Sequence, residues 1–118
     1  MNVIKIYEAK NCSTCKKALK FLLNHNYAVD RVDIFKTPPT KGELKKMIGY
    51  LGHFKFLFNT AGRIYHEMNL TEKIKTMTEE EALDMLAKNG RLVKRPFIFF
   101  KEGGMVGFEP KIWALKLK

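Results

Sequence analysis

Apolar and polar residues alternate in two rhythms along this chain. Residues 3–7 (VIKIY) form a β-branched apolar run, which predicts a strand. From Cys12 the spacing lengthens. Cys15, Ala18, Leu19 and Leu22 follow i, i+3, i+4, i+7, with Lys16, Lys17 and Lys20 largely on the other side, and a helix is expected. Asn24, His25 and Asn26 are its stop signals. Residues 28–34 (AVDRVDI) read as a second strand. Strand, helix and strand in so short a stretch fit a βαβ unit with parallel strands.

Pro38-Pro39 breaks the chain, and Thr40 with Glu43 forms a capping box. Leu44, Met47, Ile48 and Leu51 repeat the helical stripe, which Gly49 and Gly52 weaken or end. Residues 54–58 (FKFLF) are apolar and ambiguous, 59–62 are a turn candidate, and 65–70 and 72–75 predict short helical turns. A second capping box, Thr78 with Glu81, opens a helix with Ala82, Met85 and Leu86 inward, and Asn89-Gly90 ends it. Arg95-Pro96 precedes the buried-strand run 97–100 (FIFF). Gly103-Gly104 signals a hairpin turn, with 105–108 returning antiparallel. Pro110 suits the first turn of a last helix carrying Ile112, Trp113 and Leu117. The element order is βαβ, a helical stretch over about residues 40–90, then ββα: an α/β fold in which two pieces of one sheet flank a helical insertion.

At 118 residues the chain fits a single domain, residues 1–118. The apolar runs are too short to span a bilayer, and the start lacks the apolar core and cleavage site of a secretory signal. A cytoplasmic location without membrane contact is the expectation. The net charge is +10, and it leans toward the segment carrying both cysteines: residues 10–50 hold nine basic and three acidic side chains. Such a surface attracts oxyanions, nucleic acid or acidic partners alike, or serves only solubility. No glycine-rich phosphate loop or RNA-binding aromatic motif accompanies it, so direct nucleic-acid binding is not expected. Phe54, Phe56, Phe58, Phe97, Phe99 and Phe100 read as core.

Cys12 and Cys15 are the only cysteines, spaced C-x-x-C. A zinc site takes four ligands; there is no second pair, and His25, His53 and His66 lack the H-x3–5-H spacing, so no metal is expected. A redox pair and two inert thiols remain. Cys12 falls directly after a strand and at a helix start, where unpaired backbone N–H groups and the helix dipole favour an anion. A thiol so placed can fall from ~8.5 toward roughly 3.5–7.5 in pKa. Cys15 returns to the same helix face on the apolar stripe. Cys12 is therefore the predicted nucleophile and Cys15 the resolving thiol that closes a Cys12–Cys15 disulfide. Arg95 sits just before a proline, which pushes it toward an extended loop edge. There it could offer a fork of donors to a thiolate or oxyanion, or simply be solvated.

Three segments carry a resemblance: the opening Y-x3-N-C-S-T-C-K-K-A, then L-F-N-T-A-G-R-x-Y, then K-R-P-F with a following V-G-F. Together they resemble the arsenate reductase (ArsC)-like family, which includes the Spx regulators, over almost the whole chain. The resemblance implies a thioredoxin-like fold with a helical insertion. It matches Cys12 to the family's catalytic cysteine, Arg95 to one of three oxyanion-binding arginines, and Pro96 to the proline, usually cis, that faces that cysteine. The other two arginine positions fall at Asn59 and near Glu109, with Arg63 a compensating candidate. It implies a thiol–disulfide oxidoreductase in which Arg95 and the N–H groups of Ser13 and Thr14 hold negative charge. Asn59, Arg63 and Pro96 complete the substrate-binding set. No bound cofactor is implied, only an external thiol reductant: glutathione with glutaredoxin, or thioredoxin. Arsenate is a candidate substrate. The Spx branch implies the alternative of a redox-sensing regulator that binds the RNA polymerase α subunit.

Overall fold

The computed structural model describes residues 3–117. Its first unit is βαβ: β1 (Val3–Glu8), α1 (Ser13–Asn24) and β2 (Ala28–Asp33). Then come α2 (Lys41–Leu51), a 3-10 turn (Phe54–Leu57), α3 (Arg63–Glu67), α4 (Leu70–Lys73), α5 (Glu79–Lys88) and a second 3-10 turn (Gly90–Leu92). The chain closes with β3 (Phe97–Phe100), β4 (Gly103–Val106) and α6 (Pro110–Lys116). The four strands form one sheet in the order β2-β1-β3-β4, with β1 parallel to β2 and antiparallel to β3. The architecture is the α/β fold expected above, two pieces of one sheet flanking a helical insertion.

The period-2 alternation of β1 splits the core in two. Ile4 and Ile6 point to one face, where Ala18 and Leu22 of α1 and Trp113 of α6 cover them. Tyr7 points to the other, against Leu44 and Met47 of α2, Leu86 of α5 and Phe97 of β3. The inserted helices therefore cover the sheet face that α1 and α6 leave open. Both expected capping boxes are formed, Thr40 with Glu43 and Thr78 with Glu81, each worth about 1 kcal/mol of helix start. Glu43 does more than cap. It accepts from Tyr7 Oη at 2.6 Å and Lys5 Nζ at 3.0 Å, tying the start of α2 to β1.

Several local expectations are corrected. Gly103 and Gly104 lie in β4, and the turn falls on Lys101 and Glu102. The reason is space: a Cβ on Gly104 would lie 2.7 Å from Met47 Cε and 3.0 Å from Ile98 O, so glycine lets α2 close on the sheet. Gly49 does not stop α2, which runs on to a left-handed Gly52 at φ 94°. Phe56 is half exposed rather than in the core, while Leu83 replaces Met85 among the fully buried positions of α5. Periodicity alone does not resolve such positions, because a helical face about 100° wide leaves its edges undecided.

Candidate active site

β1 ends at Glu8, and the chain turns through Ala9 to Asn11 to start α1. Cys12 is the N-cap of that helix, with extended backbone, and its sulfur accepts a hydrogen bond from the Cys15 N–H at 3.2 Å. The Cys12 N–H donates to Ala9 O at 3.3 Å, which fixes the turn. Cys12 is partly exposed and Cys15 fully buried; both are free thiols. The donor to Cys12 is thus the third helical amide. Ser13 and Thr14, whose N–H groups are expected to hold negative charge, occupy the first two helical positions with exposed side chains. An N-cap side chain reaches the N2 or N3 amide, and here N3 belongs to the second cysteine.

Burial pushes the Cys15 thiol up to about 12, helped by its contact with the Cys12 side chain; the Ala9 backbone and the Arg95 charge draw it down. The thiol is protonated in the folded chain while an unfolded one titrates near 9.0. Its contribution to stability is therefore complete below about pH 9 and lost as pH rises toward about 12. Urea unfolding under reducing conditions should show wild type losing more stability than Cys15→Ala between pH 7 and roughly pH 10.5. Parallel loss in both proteins would remove burial of the thiol as the cause.

The Arg95–Pro96 peptide bond is cis, and Pro96 is buried. Pairing of Tyr7 with Phe97 fixes where this dipeptide sits. Arg95 therefore lies just before β3, the strand beside the one that leads into α1. Its charge is felt at Cys15, whose pKa it draws down. Arg95 Nε is shut off from solvent without a hydrogen-bond partner.

A bridge between Phe58 and Val93 brings the 59–62 turn beside the 91–95 segment, and Asn59 N–H donates to Leu92 O at 2.7 Å. The result is a cleft of about 390 Å³ in which Asn59, Gly62, Arg63 and Arg95 meet Phe35, Glu67 and Arg91. Arg63 is exposed and paired with Glu67 at 2.9 Å. Cys12 does not line the cleft; Arg95 joins the two regions. Glu109 lines a separate cleft with Lys94 and Lys116 and stays apart from these arginines. Sequence reasoning missed Arg91 and Phe35. A signal existed: the chain has only four arginines among 22 basic residues, and three of the four converge here.

Among the described residues no cluster of three or more His, Cys, Asp or Glu could hold a metal, and no helix is long and apolar enough to cross a membrane. The ArsC family model matches residues 7–114. The chain is similar to the uncharacterised protein YusI of Bacillus subtilis (strain 168), 40% identical over 90% of this chain and 91% of the relative. It is also similar, at 21% identity over 90% of this chain and 77% of the relative, to the global transcriptional regulator Spx of Streptococcus mutans serotype c. The solved structure of an ArsC-family-related protein from Bacteroides fragilis superposes with a TM-score of 0.89 at 42% identity, covering 99% of this chain and 97% of the other.

Proposed function

This chain belongs to the ArsC family, and from that premise we propose that it is a thiol–disulfide oxidoreductase with Cys12 as nucleophile and Cys15 as resolving thiol. The observation that carries the reading is the N-cap geometry: a partly exposed sulfur receives the amide of a buried second cysteine. Cys12 Sγ attacks one sulfur of a disulfide substrate, forms a mixed disulfide and expels one thiolate. Cys15 then loses its proton to solvent and attacks Cys12 Sγ, forming the intramolecular disulfide and expelling the second thiolate. The substrate gains the two electrons that the protein gives up. An external thiol donor, glutathione with glutaredoxin or thioredoxin, returns them.

The order of events follows from the groups around Cys15. Burial is the largest influence raising its pKa, and its contact with the Cys12 side chain adds to it, against the lowering charge of Arg95. That contact changes once the Cys12 sulfur enters a mixed disulfide, so Cys15 is held protonated before the first step and less firmly after it. Arg95 and the free amides of Ser13 and Thr14 hold negative charge as it develops, with Asn59, Arg63 and Pro96 shaping the substrate side.

The test is trapping. Cys15→Ser should accumulate a stable mixed disulfide with a small disulfide, seen in intact mass, whereas wild type should instead lose two hydrogens. A variant that forms no adduct, or a wild type that never loses those hydrogens, overturns the mechanism. An arsenate reduction assay with each donor system, beside the disulfide assay, decides which substrate is turned over. The similarity to Spx favours a second reading, redox-dependent binding to the RNA polymerase α subunit without turnover. Pull-down by the reduced and oxidised chain tests it, and absence of binding in both states removes it.

A further inference from the structure

Arg91 and Arg95 share one aromatic ring. Their guanidinium carbons lie 4.4 and 5.1 Å from the Phe35 ring centroid, both within cation–π range. Two cations crowded onto one ring repel each other, and an anion between them relieves that repulsion. None of the carboxylates among the described residues pairs with either; Glu67, the acid in the cleft, is taken by Arg63. The unpartnered Arg95 Nε adds a donor that water does not reach. The large majority of buried side-chain polar atoms in folded proteins have a partner, so an orphan at a cleft wall points to a ligand.

The arrangement also says what kind of ligand. In a chain with so many lysines, this cleft holds arginines, whose planar fork matches a carboxylate bidentately where an ammonium would not. Its volume of about 390 Å³ suits part of a small molecule. Because Cys12 is outside the cleft and Arg95 borders both, a group held by Arg91 is remote from the reacting sulfur. Resting on the oxidoreductase reading, we propose that this cleft is a subsite for the carboxylate of a small anionic disulfide, with Arg91 as its specificity-determining residue. The carboxylate lies between Arg91 and Arg95 over the edge of Phe35, and the disulfide extends past Arg95 to Cys12. Bond changes are those given above; the subsite selects the substrate and takes no part in electron transfer.

The probes are 3,3′-dithiodipropionate and its uncharged diamide, which share one reacting disulfide. Reduced wild type at low salt should react with the dicarboxylate faster by at least roughly tenfold, a preference that weakens as salt is added. Arg91→Gln should bring the ratio of the two rates close to one. Lys101→Gln removes the same charge at the far end of β3 and should keep the wild-type ratio. Equal rates in wild type, an unchanged ratio in Arg91→Gln, or an equal fall in Lys101→Gln each overturn the subsite. Failure of both probes to react would overturn the oxidoreductase reading instead. Calorimetry then decides the subsite separately: Cys12→Ser should bind the dicarboxylate and lose at least roughly tenfold in affinity when Arg91→Gln is added. No binding, or binding indifferent to Arg91, overturns it.

Discussion

Cys12→Ser is expected to abolish disulfide reduction, lowering the rate by roughly 10³-fold or more, since a hydroxyl at neutral pH is a far poorer nucleophile toward sulfur than a thiolate. The variant separates chemistry from folding unusually well. Cys12 is the N-cap of α1, and its side chain accepts from the N3 amide. Serine is among the preferred residues at that position, so α1 should start as before and the melting temperature should hold or rise slightly. The measurement is the initial rate with a small disulfide and a thiol donor system, beside a thermal melt followed by circular dichroism. Inactive protein with a wild-type melt assigns the chemistry to this sulfur. A serine variant that turns over at even a tenth of the wild-type rate ends the assignment.

The same N-cap shows how much is legible in the sequence. A β-branched run, a short polar link and a 3.6-residue stripe beginning at Cys15 are local signals, and they place Cys12 at the junction of β1 and α1. Both capping boxes are legible for the same reason: partner and cap are three residues apart. The cleft is not legible. Phe35 follows β2, Arg63 opens α3 and Arg91 follows α5, and only pairing across the chain brings them together. Arg95 is intermediate: the adjoining proline marks it, but its nearness to the cysteines depends on β3 pairing with β1. Gly103-Gly104 misleads because glycine serves close approach as readily as it serves turns, and only the neighbouring Met47 distinguishes the two.

Gly90 carries the same lesson to its largest consequence, and Gly90→Ala is expected to be severely destabilising. A Cβ there would lie 1.8 Å from the carbonyl oxygen of Ile34 and 2.8 Å from its carbon. A flexible side chain could turn aside, but both obstacles are backbone. Ile34 is held by its own N–H donating to Glu8 O at 2.9 Å, and the Gly90 carbonyl accepts from Val93 N–H at 3.2 Å. Asn89 further fixes the turn by accepting from Arg91 N–H at 3.0 Å. Overpacking commonly costs roughly 1–3 kcal/mol; with neither wall able to yield, about 3 kcal/mol or more is expected, a fall of roughly 10 °C in melting temperature. Gly49→Ala is the matched control. It lies inside α2 with nothing within 4 Å of its Cβ, so the same substitution should stabilise by about 0.5–1 kcal/mol. A Gly90→Ala protein melting within about 2 °C of wild type would mean that the two segments do not touch here. The contact also matters to function. Ile34 precedes Phe35 and Gly90 precedes Arg91, so this backbone approach sets the guanidinium over the ring. Any Gly90→Ala protein that still folds should therefore lose part of the preference for the dicarboxylate, although its cysteines are untouched.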